Sequence, residues 1–190
     1  MENSVADHKS IIRQHHHTLR RSLLDAQWKE ISNNITARLI KTDEFRLAST
    51  VHTYVSMESN REVFTLDLID KTLELGKKVL VPRMEPNGKL SHHGILSLNS
   101  LKKNEWGVLE PSYENPINLP DDLLIIVPMV AADFNRNRLG YGKGFYDRFL
   151  ESVNATKVGL CFNMNLNWIS LPVESFDVKM DKVITEQFIL

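Results

Sequence analysis

A chain of 190 residues that is 42% apolar and 25% charged can bury one good core and fits a single domain, 1–190. With 23 basic and 24 acidic residues the net charge is −1, which excludes a strongly basic nucleic-acid binder. No apolar run reaches the ~18 residues of a membrane span, the N-terminus lacks an apolar signal core, and the one cysteine, Cys161, permits no internal disulfide. The expectation is a soluble cytoplasmic monomer with no nucleic-acid or membrane partner.

Residues 8 to about 24 read as a first helix, with Ile12, Leu19 and Leu23 on one face. Lys9 and Arg13, four apart, share a face too. Taken alone, such a pair is a solvated basic surface. His15, His16 and His17 point about 100° apart from one another on a helix, so they cannot converge on a metal and are expected at the surface.

Asp25 is positioned to cap a second helix, 26–41, whose apolar stripe is Trp28, Ile31, Ile35 and Leu39. A strand at 49–55 runs into a polar loop, 56–65, at the kind of strand end where open α/β sheets bind ligands. Within that loop Glu62, by itself, reads as a surface acid. A helix starts at Thr65 and stops at Gly76, and a strand over 77–82 is expected to end at Pro82. Strand, helix and strand make a βαβ unit with parallel strands and a right-handed crossover.

Residues 83–122 are the least regular, and the Asn87-Gly88 turn predicts a hairpin or an irregular excursion off the main sheet. His92 and His93, adjacent in an extended segment, face opposite sides and form no chelate. Trp106 is either a core tryptophan or a stacking surface for flat rings. The apolar run 123–128 is a strand buried on both faces, and 156–161 is another. The fold class is therefore α/β: a mostly parallel open sheet with helices on both faces, a three-layer Rossmann-like arrangement, plus the irregular excursion.

The densest motif is R-L-G-Y-G-K-G-F-Y-D-R, Arg138 to Arg148, which carries three of the eight glycines. Alternating glycines let backbone N–H groups line a concave surface suited to phosphate, and a helix beginning near Phe145 adds its own free N–H groups. Arg138, Lys143 and Arg148 supply cations. The Walker A pattern fails because Gly144 follows Lys143, and the dinucleotide fingerprint fails at Phe145. On glycine content alone, a surface turn before a helix remains an equal reading.

The full string resembles the nucleotide-binding signature of the 5-formyltetrahydrofolate cyclo-ligase (5,10-methenyltetrahydrofolate synthetase) family, R-L-G-x-G-x-G-[YF]-Y-D after a P-x-x-A-x-D segment, here Pro128, Ala131 and Asp133. Similar matches run from Lys9 and Arg13 through Met57, Glu62 and Thr65, then Gly76, Lys77, Val79 and Pro82, the segment 105–111 around Trp106, and Pro172, Asp177, Asp181, Thr185 and Glu186. Phe176 departs from the histidine or asparagine common before Asp177. The resemblance implies ATP-dependent ring closure of 5-formyltetrahydrofolate, with Mg²⁺ accompanying the nucleotide and polyglutamylated folate as a possible substrate form.

By the same resemblance, ATP is bound by Lys9, Arg13, Arg138, Leu139, Gly140, Tyr141, Gly142, Lys143, Gly144, Phe145 and Tyr146. Folate meets Met57, Glu62, Trp106, Tyr141, Gly142, Lys143, Gly144 and Phe145. Lys143, Arg138 and Tyr146 are the catalytic candidates, and Asp147 with Asp177 the metal ligands; whether Asp181 replaces Asp177 stays open. Glu62 would hold the pterin edge, whose adjacent N–H and amine donors a carboxylate accepts in pairs. A sugar-phosphate isomerase or acyl-carrier transferase would share a glycine loop but want a dedicated base or nucleophile. A non-catalytic folate binder could dispense with Lys143 or Asp147.

Overall fold

The computed structural model describes residues 4–104, 107–112 and 116–190. Its helices are α1 (Val5–Arg21), α2 (Asp25–Ile40), α3 (Asp43–Leu47), α4 (Leu66–Glu74) and α5 (Phe145–Glu151). The strands are β1 (Thr50–Thr53), β2 (Lys78–Met84), β3 (Leu90–Ile95), β4 (Leu101–Lys103), β5 (Leu109–Pro111), β6 (Leu123–Val127), β7 (Ala131–Asp133), β8 (Arg138–Leu139), β9 (Thr156–Leu160), β10 (Leu166–Asn167) and β11 (Lys182–Ile184).

Six strands form the main sheet in the order β11-β9-β6-β1-β2-β3. Every ladder is parallel except β2 with β3: the hairpin at Asn87-Gly88 forms, but it does not leave the main sheet, because β3 pairs along β2 as the edge strand. In β1 and β6 the period-2 alternation decides which face each side chain meets. Val51, Leu124 and Ile126 pack with Trp28, Ile35 and Leu39 of α2 and Phe45 of α3. Val79 and Val81, on that same face, meet Ile69 of α4. On the opposite face Leu80, Ile125 and Val127 meet Phe149 and Leu150 of α5. Helices cover both faces, as the apolar runs require, but unequally.

Several expectations shift. Pro82 does not end its strand: β2 runs on to Met84, with Pro82 opposite His92 of the edge strand β3. Asp25 is not an N-cap but the first residue of α2, ion-paired with Arg61, while Gln27 reaches back to the Leu24 N–H. The glycine loop does not follow β6 directly. A second, three-stranded sheet, β10-β7-β8, intervenes, and Asp133 fastens its turn by accepting from the Asn137 and Leu171 N–H groups.

The first helix differs most. Its buried side chains are Lys9, His16 and Arg20, so its inward face is polar, and His17 is half-buried. The expectation of three surface histidines fails at both residues. The reason is where α1 lies. It contacts the turns 58–60 and 163–165, which follow β1 and β9, so it crosses the C-terminal edge of the parallel strands. A helix over a strand edge meets carbonyls and loops rather than an apolar sheet face, and polar residues fit there.

Candidate active site

The glycine loop, α1 and the loop after β1 converge at that C-terminal edge. Gly142 and Gly144 have φ of +91° and +68°, which only glycine adopts without strain. Gly140 serves differently. A Cβ there would stand 2.7 Å from Arg138 Nη1, and one on Gly142 would stand 3.2 Å from Arg13 Cζ. The missing side chains make room for two guanidinium groups. Arg13 Nε donates to the Gly140 carbonyl at 2.8 Å, tying α1 to the loop. Leu139 is buried and pairs with Ala131, anchoring the loop's start. Phe145 lies under the Arg148 guanidinium at the start of α5.

Arg138 is buried and donates to both oxygens of Asp147 at 2.7 Å and to the Pro128 carbonyl at 3.2 Å. Lys143 is exposed, with no ion-pair partner among the described residues. Tyr146 turns inward. Its hydroxyl is buried without a hydrogen-bond partner among the described residues, and burial pushes its pKa up. A buried, unpaired hydroxyl is uncommon in a folded protein and marks a place where a polar ligand atom could bond.

Glu62 is a buried carboxylate. The Met57 N–H donates to its Oε2 at 2.6 Å, the Tyr141 hydroxyl donates to its Oε1, and the Trp28 indole fixes its carbonyl at 2.6 Å. Burial raises its pKa, while Met57, Tyr141 and Arg20 pull the other way. Each carboxylate oxygen has two lone pairs, so one per oxygen remains for a paired donor. Met57, half-buried, contributes its backbone here and its sulfur to Asn60.

Lys9 donates to Glu174 at 2.7 Å and to Asp177 at 2.5 Å. Burial disfavours its charge, but the two carboxylates outweigh burial and hold its pKa above the usual value. The Val178 N–H reaches Asp147 at 3.4 Å, which puts Asp147 beside the chain that carries Asp177. Asp181 is elsewhere, accepting from the Lys157 N–H at the start of β9. Thr185 and Glu186 likewise accept backbone N–H groups of the tail and of Asn163. Trp106 lies outside the described residues. Among those residues no three His, Cys, Asp or Glu side chains converge as a cation cage.

Glu174 and Arg20 were not anticipated. Arg20 had a usable signal: Lys9, Arg13, His16 and Arg20 follow a 4-3-4 spacing that puts them on one stripe of α1. Glu174 had none, because the tail around it is irregular.

An open, mostly parallel sheet with a cation-ringed glycine loop and a buried carboxylate at its C-terminal edge defines an α/β enzyme with its site at the strand ends. The profile of the 5-formyltetrahydrofolate cyclo-ligase family matches residues 5–186, and the chain belongs to that family. It is an enzyme with 5-formyltetrahydrofolate cyclo-ligase (5,10-methenyltetrahydrofolate synthetase) activity. The Escherichia coli 5-formyltetrahydrofolate cyclo-ligase is 32% identical over 87% of this chain and 93% of its own. A probable cyclo-ligase of Schizosaccharomyces pombe is 29% identical over 88% of both chains. The solution structure of Aquifex aeolicus 5,10-methenyltetrahydrofolate synthetase, 29% identical, superposes with a TM-score of 0.83 over 95% of this chain and 91% of its own.

Proposed function

We propose that the chain, as a monomeric cytoplasmic domain of residues 1–190, closes 5-formyltetrahydrofolate, free or polyglutamylated, to 5,10-methenyltetrahydrofolate using ATP, with release of ADP and phosphate. The supporting observation is that two different recognition devices share one sheet edge. The glycine loop with Lys9, Arg13, Arg138 and Lys143 suits a triphosphate, and Glu62 suits the paired donors of a pterin.

The formyl carbon is a poor electrophile because N5 donates into its carbonyl. The formyl oxygen attacks the γ-phosphorus, the bond to the ADP oxygen breaks, and ADP leaves. N10 then attacks the activated carbon and loses its proton. The former formyl oxygen departs with phosphate, leaving the methenyl bridge between N5 and N10. The formyl oxygen is itself the nucleophile, so the protein needs no serine or cysteine in that role. Its task is positioning and charge stabilisation.

In this reading Lys143 follows the transferred phosphoryl group, Arg138 steadies the loop and its phosphates, and Tyr146 donates its unpaired hydroxyl to the reacting oxygens. Lys9 and Arg13 hold the outer phosphates, Gly140 to Phe145 line the passage between the substrates, and Met57 with Trp106 borders the folate. Mg²⁺ bound with the nucleotide would neutralise phosphate oxygens. Asp147 and Asp177 fit it as oxygen donors, since Mg²⁺ commonly takes one or two carboxylates beside phosphate and water. Asp177 uses only Oδ2 toward Lys9 and the Glu174 N–H, while Asp147 would share its oxygens with Arg138.

The test is absorbance in the methenyl product's band with 5-formyltetrahydrofolate as substrate. Product is expected only when ATP and Mg²⁺ are both supplied. Turnover without any nucleotide would overturn the proposal.

A further inference from the structure

Glu62 is almost wholly removed from water, yet a carboxylate that receives donor pairs must carry its charge. Desolvation alone pushes it toward the protonated form. The groups around it come from every side. Arg20 and His17 come from α1, Tyr54 from the end of β1, Tyr141 from the glycine loop and Tyr146 from α5. The Tyr54 hydroxyl donates to the Val63 carbonyl, so it gives Glu62 nothing. His17 is neutral, its pKa lowered to about 4 by burial and by the neighbouring Arg20. Arg20 is the cation of the set, 2% exposed.

The hydrogen-bond directions then follow from chemistry. A guanidinium has donors and no acceptor. Arg20 Nη1 donates to the Met129 carbonyl at 3.1 Å, and Nη2 donates to the Tyr141 hydroxyl oxygen at 2.9 Å and to His17 Nδ1 at 3.3 Å. Because Arg20 occupies the phenol oxygen as a donor, the one phenol proton points away from it, to Glu62 Oε1. The Met57 N–H, also donor only, faces Oε2. A protonated carboxyl would have to place its own proton on one of the two outer positions, where it meets no acceptor among the described residues and blocks one of the lone pairs left for a ligand. The network therefore favours the carboxylate against the pull of burial.

We infer that Arg20 is a positioning residue that acts through Tyr141 to hold Glu62 as a charged, oriented acceptor pair for the substrate. Arg20 touches no reacting atom. It fixes the direction of the Tyr141 hydroxyl bond, and that bond, with the Met57 N–H, leaves the outer lone pair of each Glu62 oxygen aimed at a ligand. The role toward substrate rests on the folate reading above; the relay itself does not.

The test separates the two. Protein labelled with ¹³C-carboxyl glutamate is titrated without ligand, with the Glu62 resonance identified by its loss in Glu62→Gln. Arg20→Met is expected to raise the Glu62 midpoint by about one pH unit, a tenfold change in protonation. Tyr141→Phe, which leaves α1 intact, should do the same. Arg20→Lys, which keeps a charged donor, should stay near wild type. The double variant should move no further than the larger single change, because Arg20 works through Tyr141. Additive shifts, or an unmoved midpoint in the folded single variants, would overturn the relay. Calorimetry should show 5-formyltetrahydrofolate affinity failing about one pH unit earlier on acidification in Arg20→Met, with ATP affinity unchanged. If the midpoint moves as expected but wild-type protein binds no folate at any pH, the relay stands and the folate assignment falls.

Discussion

Lys143 differs from the other cations of the site in that its ammonium has no hydrogen-bond or ion-pair partner among the described residues. Arg138 has Asp147, Lys9 has Glu174 and Asp177, and Arg13 has the Gly140 carbonyl. Flanked by glycines, the Lys143 ammonium can move with a phosphoryl group in transfer. An interaction that strengthens as charge redistributes acts on kcat and not only on KM. Lys143→Met is therefore expected to lower kcat by about 10²–10³, the usual scale for one lost electrostatic stabiliser. Its melting temperature should stay near wild type, since an exposed lysine contributes little to stability. Steady-state kinetics and a melting curve check both; an intact kcat would reduce the loop to a structural turn.

At the scale of elements, Gly140 sets the loop's geometry by absence of volume. Its φ is not in the left-handed region, so alanine meets no backbone penalty there, only the 2.7 Å approach to Arg138 Nη1. Arg138 cannot swing aside freely because Asp147 and the Pro128 carbonyl hold it. Gly140→Ala should cost about 1–3 kcal/mol as overpacking, a fall of roughly 2–4 °C in Tm per kcal/mol for a chain of this size. The KM for ATP should rise with it. Calorimetric melting and kinetics on the variant measure both, and an unchanged Tm would mean that Arg138 is looser than its contacts indicate. What was legible in the sequence divides along these lines. The βαβ unit, the core strand 123–127 and the hairpin at Asn87-Gly88 follow from periodicity and turn chemistry, which are local. The small sheet of β7, β8 and β10 was not legible, because strands of two or three residues carry no periodicity. Nor was the inward polar face of α1: whether Arg20 and His16 are buried depends on α1 crossing a strand edge, a tertiary fact. In the site, the glycine string was readable residue by residue. The commitment of Arg138 to Asp147, 9 residues apart within the string, and of Tyr141 to Glu62, 79 apart, was not, since both pairings depend on the tertiary path of the loop and not on local spacing.

For the whole molecule, pH acts through histidines the fold keeps neutral. His52 is fully buried on the α5 face of the sheet, with Nε2 3.0 Å from His92 Nδ1 and Phe149 stacked beside both rings. Two imidazoles sharing one hydrogen bond cannot both take a second proton. Burial holds His52 well below the usual range, and burial with His93 nearby holds His92 at about 4. Burial does the same for His16 and His17, also at about 4. In the unfolded chain all four titrate near 6.5. Below that pH the unfolded state binds protons that the native state refuses, so stability falls as pH falls, with the loss growing until the native values are reached. Glu62 and Asp70, raised in the native state, act in the opposite sense. The window from pH 7 to 5.5 is where the unfolded chain's histidines take up their protons. The urea midpoint of unfolding should drop steadily across that window. His92→Phe, which keeps the ring contact with Phe149 and removes a titrating group, should flatten the slope while lowering stability at pH 7 by leaving His52 without its partner. A midpoint that does not change between pH 7 and 5.5 would show that these rings protonate in place, and that the core around β1 admits charge the packing says it excludes.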